Sequence, residues 1–456
     1  MFVGLAAAAT LWGAVALDRI SAESLKANIN WLADDQREGR LTPSAGLEAS
    51  ADYIAGQFRQ AGLMPGGSEG TFFQAAQFAQ ITPRADDFQM TLSAGGRRVS
   101  VRGLNVAIRT LAAIDFQSEP VVRLHGDPLP DVTGRVVEGG EAYGTEAALY
   151  RLRARKPSLI ILAMDGSKPK EEVPFLLDAD PSVPPIIRIF SRTAAGLLSG
   201  KDEVRLALHA GAPVRHDVVL RNVAGILRGS DPAVRDQFVI VSAHYDHLGL
   251  RPPGQGNRVF HGANDNASGT ASLIEIAKAL AANSHPRRSV LFLALFGEEE
   301  GLLGSGYYVR HPLIPVARTI TDINLEQLGR TDSSDGPEIA RFALTGPSYS
   351  NLPAIMSVAA KTAGTSVYQK ENADDYFDRS DNYSFALAGV VAHTVVVAFE
   401  FPGYHEVSDE AGKIDYGNLV KIDRGLAAGV AAVADASETP KWSDTKAAQA
   451  YRDSGR

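Results

Sequence analysis

Four apolar runs in the second half of this sequence lead into side chains that can hold a cation. Phe238-Val239-Ile240-Val241 is followed by Ser242-Ala243-His244-Tyr245-Asp246-His247, and the run from Val290 to Phe296 by Gly297-Glu298-Glu299-Glu300-Gly301. The run from Thr319 to Leu325 meets Glu326, and that from Val390 to Phe399 leads to Tyr404-His405. A fifth group, Asn264-Asp265-Asn266, precedes a helical stripe of Leu273, Ile274, Ile276, Ala277 and Leu280. Ligands of open α/β sheets bind beyond the carboxyl ends of the strands, so these imidazoles and carboxylates are expected along one sheet edge. Like charges gathered there repel unless a cation is present. Because the 456 residues include no cysteine, the metal must sit on His, Asp and Glu, a donor set that suits catalytic zinc. Five donors are too many for one tetrahedral ion with an open position. Two ions sharing one carboxylate use them all, can bind a substrate carbonyl, and can lower the pKa of water towards about 7. Of the neighbours Glu298 and Glu299, one can then ligate while the other takes and returns a proton.

Competing chemistries find less support. A lone histidine is more often a satisfied structural residue, which is the reading for His125, His209, His216, His285 and His311. His405-Glu406 has no second histidine at position 409, which excludes an H-E-x-x-H zinc helix. No G-x-S-x-G elbow, Walker A loop or G-x-G-x-x-G fingerprint occurs, which argues against serine hydrolases, nucleotidases and dehydrogenases. Lys plus Arg number 45 against 53 Asp plus Glu, a net charge of −8, and mild acidity does not favour nucleic acid as a partner.

The elements that must position these residues follow from periodicity. Beyond position 212 continuous β-branched runs alternate with amphipathic helices, which predicts a three-layer α/β sandwich around a mostly parallel mixed sheet over 212–437. Apolar residues at helical spacing, Leu25, Ile29 and Leu32, then Tyr53, Ile54 and Phe58, predict two helices within 18–85 that belong to the same domain. Between them and the sheet, 86–211 carries short alternating runs broken by Gly, Pro and Asp, the pattern of a small β-rich inserted domain. The stretch 438–456 is expected to be a loose polar tail. Residues 1–17 carry no side-chain charge and end in Ala14-Val15-Ala16, a signal-peptidase pattern, so a periplasmic or secreted protein beginning near Leu17 or Asp18 is expected. That run is shorter than the roughly 20 residues that cross a bilayer, so no membrane span is expected.

With these residues in view, the chain resembles the two-zinc aminopeptidase family, which also includes glutamate carboxypeptidase II, the catalytically dead transferrin receptor ectodomain and the glutaminyl cyclases. The resemblance rests on Ser242 to Gly249, Gly262-Ala263-Asn264-Asp265-Asn266-Ala267-Ser268-Gly269, Gly297 to Ser305, and Tyr404-His405 with Ser408-Asp409-Glu410 and Lys413-Ile414-Asp415-Tyr416. Glu38-Gly39-Arg40 looks like this family's N-terminal segment, and 86–211 like its protease-associated insert. The resemblance implies two zinc ions per chain, a peptide substrate and a zinc exopeptidase fold. His244 would be a ligand of the first ion, Asp265 the bridge, and Glu299 and His405 ligands of the second. Glu326 falls where the family usually has Asp and would complete the first site, one methylene longer. Glu298 matches the general base, Asp246 the carboxylate that orients His244, and Tyr404 an oxyanion donor. Ser380-Asp381-Asn382-Tyr383 resembles a segment that more often reads Ser-Asp-His, and His247 and His261 are left in supporting roles. Removal of N-terminal residues from peptides is the activity implied. Glutaminyl cyclisation and a metal-free peptide-binding module are the alternatives.

Overall fold

The structure, a computed structural model, describes residues 17–126, 129–164, 174–254, 256–283, 285–334 and 336–454. The N-terminal run read as a signal segment therefore lies outside the described residues except for Leu17. The chain divides into two compact units, Met1–Ala76 with Leu220–Arg456, and Gln77–Val219.

In the larger unit every residue of strands Phe238–His244 and Ser289–Leu295 is buried, the signature of strands covered on both faces. Phe238–His244 pairs in parallel with Ser289–Leu295 on one side and Thr319–Glu326 on the other, and Thr319–Glu326 pairs in parallel with Ala392–Val396. Antiparallel partners flank this core: Val223 to Leu227 against Ser289–Leu295, and Arg341–Leu344 against Ala392–Val396. The result is a mixed sheet with a parallel centre. Helices Gly269–Asn283 and Tyr416–Asp435 pack on Phe238–His244, and Asp415 caps the second by accepting from Asn418 N at 2.9 Å. The two early helices form as Ala22–Leu32 and Ala45–Gln60, each capped by a serine, Ser21 and Ser44, whose hydroxyl accepts a backbone N–H.

Two expectations need correction. The run from Val390 to Phe399 is not one strand: the strand ends at Val396, and Ala398 N instead donates to Gln327 O. His405 is thus carried by irregular chain well past the sheet. The tail is not loose either. Lys446–Ser454 is a helix, Tyr451 stacks on Trp442 at 5.4 Å between ring centres, and Trp442 Nε1 donates to Gly389 O at 3.0 Å. An aromatic pair supplies the burial that the polar composition hid.

The unit Gln77–Val219 has its own sheet of eight strands, in the order Arg97–Arg102, Phe88–Ala94, Arg205–Ala210, Ile114–Arg123, Val136–Gly140, Leu159–Ala163, Ile186–Ile189, Val106–Arg109. Its core gathers Leu92, Val101, Leu159, Ile161, Ile187 and Leu206. Helix Glu146–Ala154 closes a second cluster through Leu149 and Leu152.

Candidate metal centre

His244 and Glu326 are each the last residue of a central parallel strand, so the backbone ladder fixes where their side chains start. Asp265 arrives from the wide turn Ala263–Ser268 that opens helix Gly269–Asn283. Asp409 holds this turn by accepting from Asn264 N and Asp265 N, each at 3.0 Å. Gly269 is required there, because a Cβ would lie 2.4 Å from Leu325 O.

These elements bring His244, Asp265 and Glu326 together with one donor atom from each within 4.8 Å of the others. His244 Nε2 lies 3.5 Å from Asp265 Oδ1 and 4.0 Å from Glu326 Oε1. A second group within the same limit joins Asp265 and Glu299 to His247. His247 Nδ1 is 2.7 Å from Glu299 Oε1, while His405 Nε2 lies 3.2 Å from Asp265 Oδ2 and 3.3 Å from Glu299 Oε2. Asp265 therefore turns one oxygen to each group. Asp246 ties the halves together: its carboxylate is 3.5 Å from His244 Nδ1 and accepts from Thr42 Oγ1 at 3.2 Å, Glu298 N at 3.1 Å and Glu299 N at 3.4 Å.

Four buried atoms of these residues lack a hydrogen-bond partner: both ring nitrogens of His244, His247 Nε2 and Glu326 Oε2. Orphaned buried polar atoms are costly. Two carboxylates about 4 Å apart repel by about 4 kcal/mol even at an effective dielectric near 20. Nitrogen and carboxylate donors without partners, around a shared carboxylate, fit a divalent cation of the zinc type. The titration of the side chains agrees. Burial pushes Glu298 well above the usual carboxylate range; His244 opposes this, and Glu326 and Glu299 add to it. Burial also raises Glu326, with His244 opposing and Asp265 adding, up to about 7. Burial pulls the His405 imidazole down, but its contacts with Asp265 and Glu299 outweigh this and carry it up to about 10. Protons are thus held where positive charge is called for.

The structure brings His244, Asp246, Asp265, Glu299, Glu326 and His405 together. Tyr404 is 44% exposed and stacks on His405 at 4.0 Å between ring centres. Asn382, in the Ser-Asp-Asn segment, is buried, donating to Phe377 O and accepting from Thr394 Oγ1. His261 pairs with Asp35 at 2.8 Å. Sequence reasoning missed the placement of His247 against Glu299, although two histidines three apart after one strand were a usable signal. Asp409 was quoted in a motif without its backbone-holding part, and Arg40 without its burial.

Comparison with known proteins follows the same residues. Residues 222–430 match Peptidase family M28. Aminopeptidase YwaD of Bacillus subtilis (strain 168) is 36% identical over 111 residues, which is 24% of this chain and 22% of that protein's length. The probable lipoprotein aminopeptidase LpqL of Mycobacterium tuberculosis (strain ATCC 25618 / H37Rv) is 26% identical over 409 residues, 83% of this chain and 74% of that one. The solved structure of BSAP, a zinc aminopeptidase from Bacillus subtilis, superposes with a TM-score of 0.50 at 21% identity, covering 90% of this chain and 94% of that chain, and so shares the fold.

Proposed function

We propose that this chain, whose residues 222–430 match Peptidase family M28, is a zinc-dependent aminopeptidase that removes N-terminal residues from peptides. The observation that carries the reading is the pair of donor groups sharing Asp265. His244, Asp265 and Glu326 would hold one zinc, and Asp265, Glu299 and His405 the other. His247 takes Glu299 Oε1 and leaves Oε2 beside His405, where the two could ligate together. Zinc supplies Lewis-acid polarisation of the scissile carbonyl and acidifies a water. Glu298, raised by burial, is suited to take the proton from that water and return it to the leaving amine. Asp246 orients the His244 ring and keeps Glu298 and Glu299 in place through their backbone N–H groups. Tyr404 is the candidate donor to the developing oxyanion.

We read the unit Gln77–Val219 as the protease-associated insert. Export is the proposed localisation, supported by the Ala14-Val15-Ala16 pattern and by a mycobacterial relative named as a lipoprotein. Among the described residues no helix is long and apolar enough to cross a membrane.

Elemental analysis combined with a substrate screen tests the reading. Two zinc ions per chain, activity lost to chelator, and cleavage of aminoacyl substrates but not of N-blocked peptides are expected. Full activity in excess chelator would sink metal catalysis. Cyclisation of N-terminal glutaminyl peptides without hydrolysis would move the chain to the cyclase reading.

A further inference from the structure

Among the described residues Arg40 heads the largest fully buried side chains, and no carboxylate touches it. Its guanidinium instead donates to four backbone carbonyls: Nε to Tyr245 O at 2.8 Å, one terminal nitrogen to Leu32 O at 2.6 Å and His261 O at 2.8 Å, the other to Gly262 O at 3.0 Å. A buried charge is expensive unless it is paired or fully hydrogen-bonded. Here every hydrogen bond it donates goes to main chain.

The acceptors are not scattered. Tyr245 lies between His244 and Asp246, while His261 and Gly262 lead into the turn that bears Asp265. One planar fork therefore ties the strand end that bears His244 to the entrance of the turn that bears Asp265, the carboxylate both groups share. The backbone around Arg40 adds two more ties, with His247 N donating to Arg40 O at 3.3 Å and Gly249 N to Gly39 O at 3.1 Å. The approach is close enough that a Cβ on Gly39 would lie 2.3 Å from Gly249 O. Only glycine allows it.

We propose that Arg40 is a positioning residue for the metal centre, holding the His244–His247 segment and the Asp265 turn at a fixed separation before an ion binds. The inference rests on the metal-centre reading above and adds a residue that ligates nothing. Its electrostatic and geometric effects have opposite signs. A permanent cation near Asp246, Asp265, Asp409 and Glu299 opposes binding of a second cation, whereas a clamp that holds ligands in place favours it. Only the second effect makes removal of the arginine weaken zinc.

The test is zinc affinity of the full-length chain, measured by competition with a chromogenic chelator for the wild type, Arg40→Met and Arg40→Lys, well below their melting temperatures. Loss of supporting partners around metal ligands typically costs 10–100-fold in affinity, and a loss of about that size is expected for Arg40→Met. Arg40→Lys keeps the charge but not the planar fork, so it should fall between the two and regain turnover in excess zinc. Tighter zinc in Arg40→Met would overturn the proposal, leaving Arg40 a neutralising charge. Unchanged affinity with a lower melting temperature would also overturn it, leaving a purely structural role. If Arg40→Met does not fold, Arg40→Lys decides alone, since wild-type affinity in it is incompatible with a geometric clamp. A wild type that binds no zinc would sink the metal-centre reading itself, an outcome distinct from the others.

Discussion

The half of the centre built on strands and the half built on loops use the same side-chain chemistry but differ in what holds them. His244 and Glu326 sit at the ends of neighbouring strands in the parallel centre of the sheet, with side chains 0% and 12% exposed. His405 hangs on irregular chain beyond the last strand, 37% exposed, at a left-handed φ of 56°. No ladder fixes it; the Tyr404 stack and the two carboxylates do. The inner half therefore takes its geometry from the fold, and its cost is buried like charge. The outer half takes its geometry from the other ligands, and its cost is small.

The largest expected effect belongs to neither half. Glu298→Gln should lower turnover by at least about 10²-fold, because the amide can hydrogen-bond water but cannot accept its proton. Metal content should stay as in the wild type. Loss of an ion in this variant would mean that Glu298 ligates, and the division into halves would have to be redrawn.

A smaller effect should separate inner from outer by pH. In the chelator-treated protein, Glu326 ionises only near pH 7 when folded, but near about 4.3 when unfolded. The folded state thus holds the extra proton, and its stability falls as pH rises from about 4 to 7. Glu326→Gln removes that loss. Thermal melts should show the variant more stable than the wild type at pH 8, by roughly 2–4 °C for each 1 kcal/mol relieved, and no different at pH 4. Its zinc affinity should drop at the same time. An equal gain at both pH values would show that buried charge is not the cost of the inner half.

The smallest effect on stability is expected for His405→Ala. Its imidazole is 37% exposed and screened by water, but its partners Asp265 and Glu299 are buried, so the melting temperature of the metal-free protein should fall by a few °C, about 1 kcal/mol. The zinc count should still fall by one. A large destabilisation would reverse the comparison and make the loop the structural half.

What could be read in the sequence follows the same division. Strand ends were legible because a continuous apolar run announces a buried strand, and His244 or Glu326 directly after one has only the sheet edge to occupy. His405 was reached by reading Val390 to Phe399 as one strand, and its role as a ligand came from the resemblance. Val397, Ala398 and Phe399 are buried without belonging to the strand, and burial outside regular structure leaves no period to detect. His247 was passed over because a histidine near a ligand looks the same whether it supports or ligates. Arg40 was hidden for a different reason: its partners are main-chain carbonyls, which every residue carries, so no residue type in the sequence marks them. Trp442 and Tyr451 were diluted in a polar stretch, although two aromatic rings suffice to dock a short helix.

Depth also bears on time. An ion beside His405 would sit at the more exposed ligand, whereas one held by His244 and Glu326 would be more deeply buried. With Asp265 between them, the inner ion would load first and leave last. Isotopic exchange of zinc would then proceed from two pools, a fast outer one and a slow inner one. Brief exposure to chelator would yield a half-loaded enzyme rather than a mixture of full and empty chains.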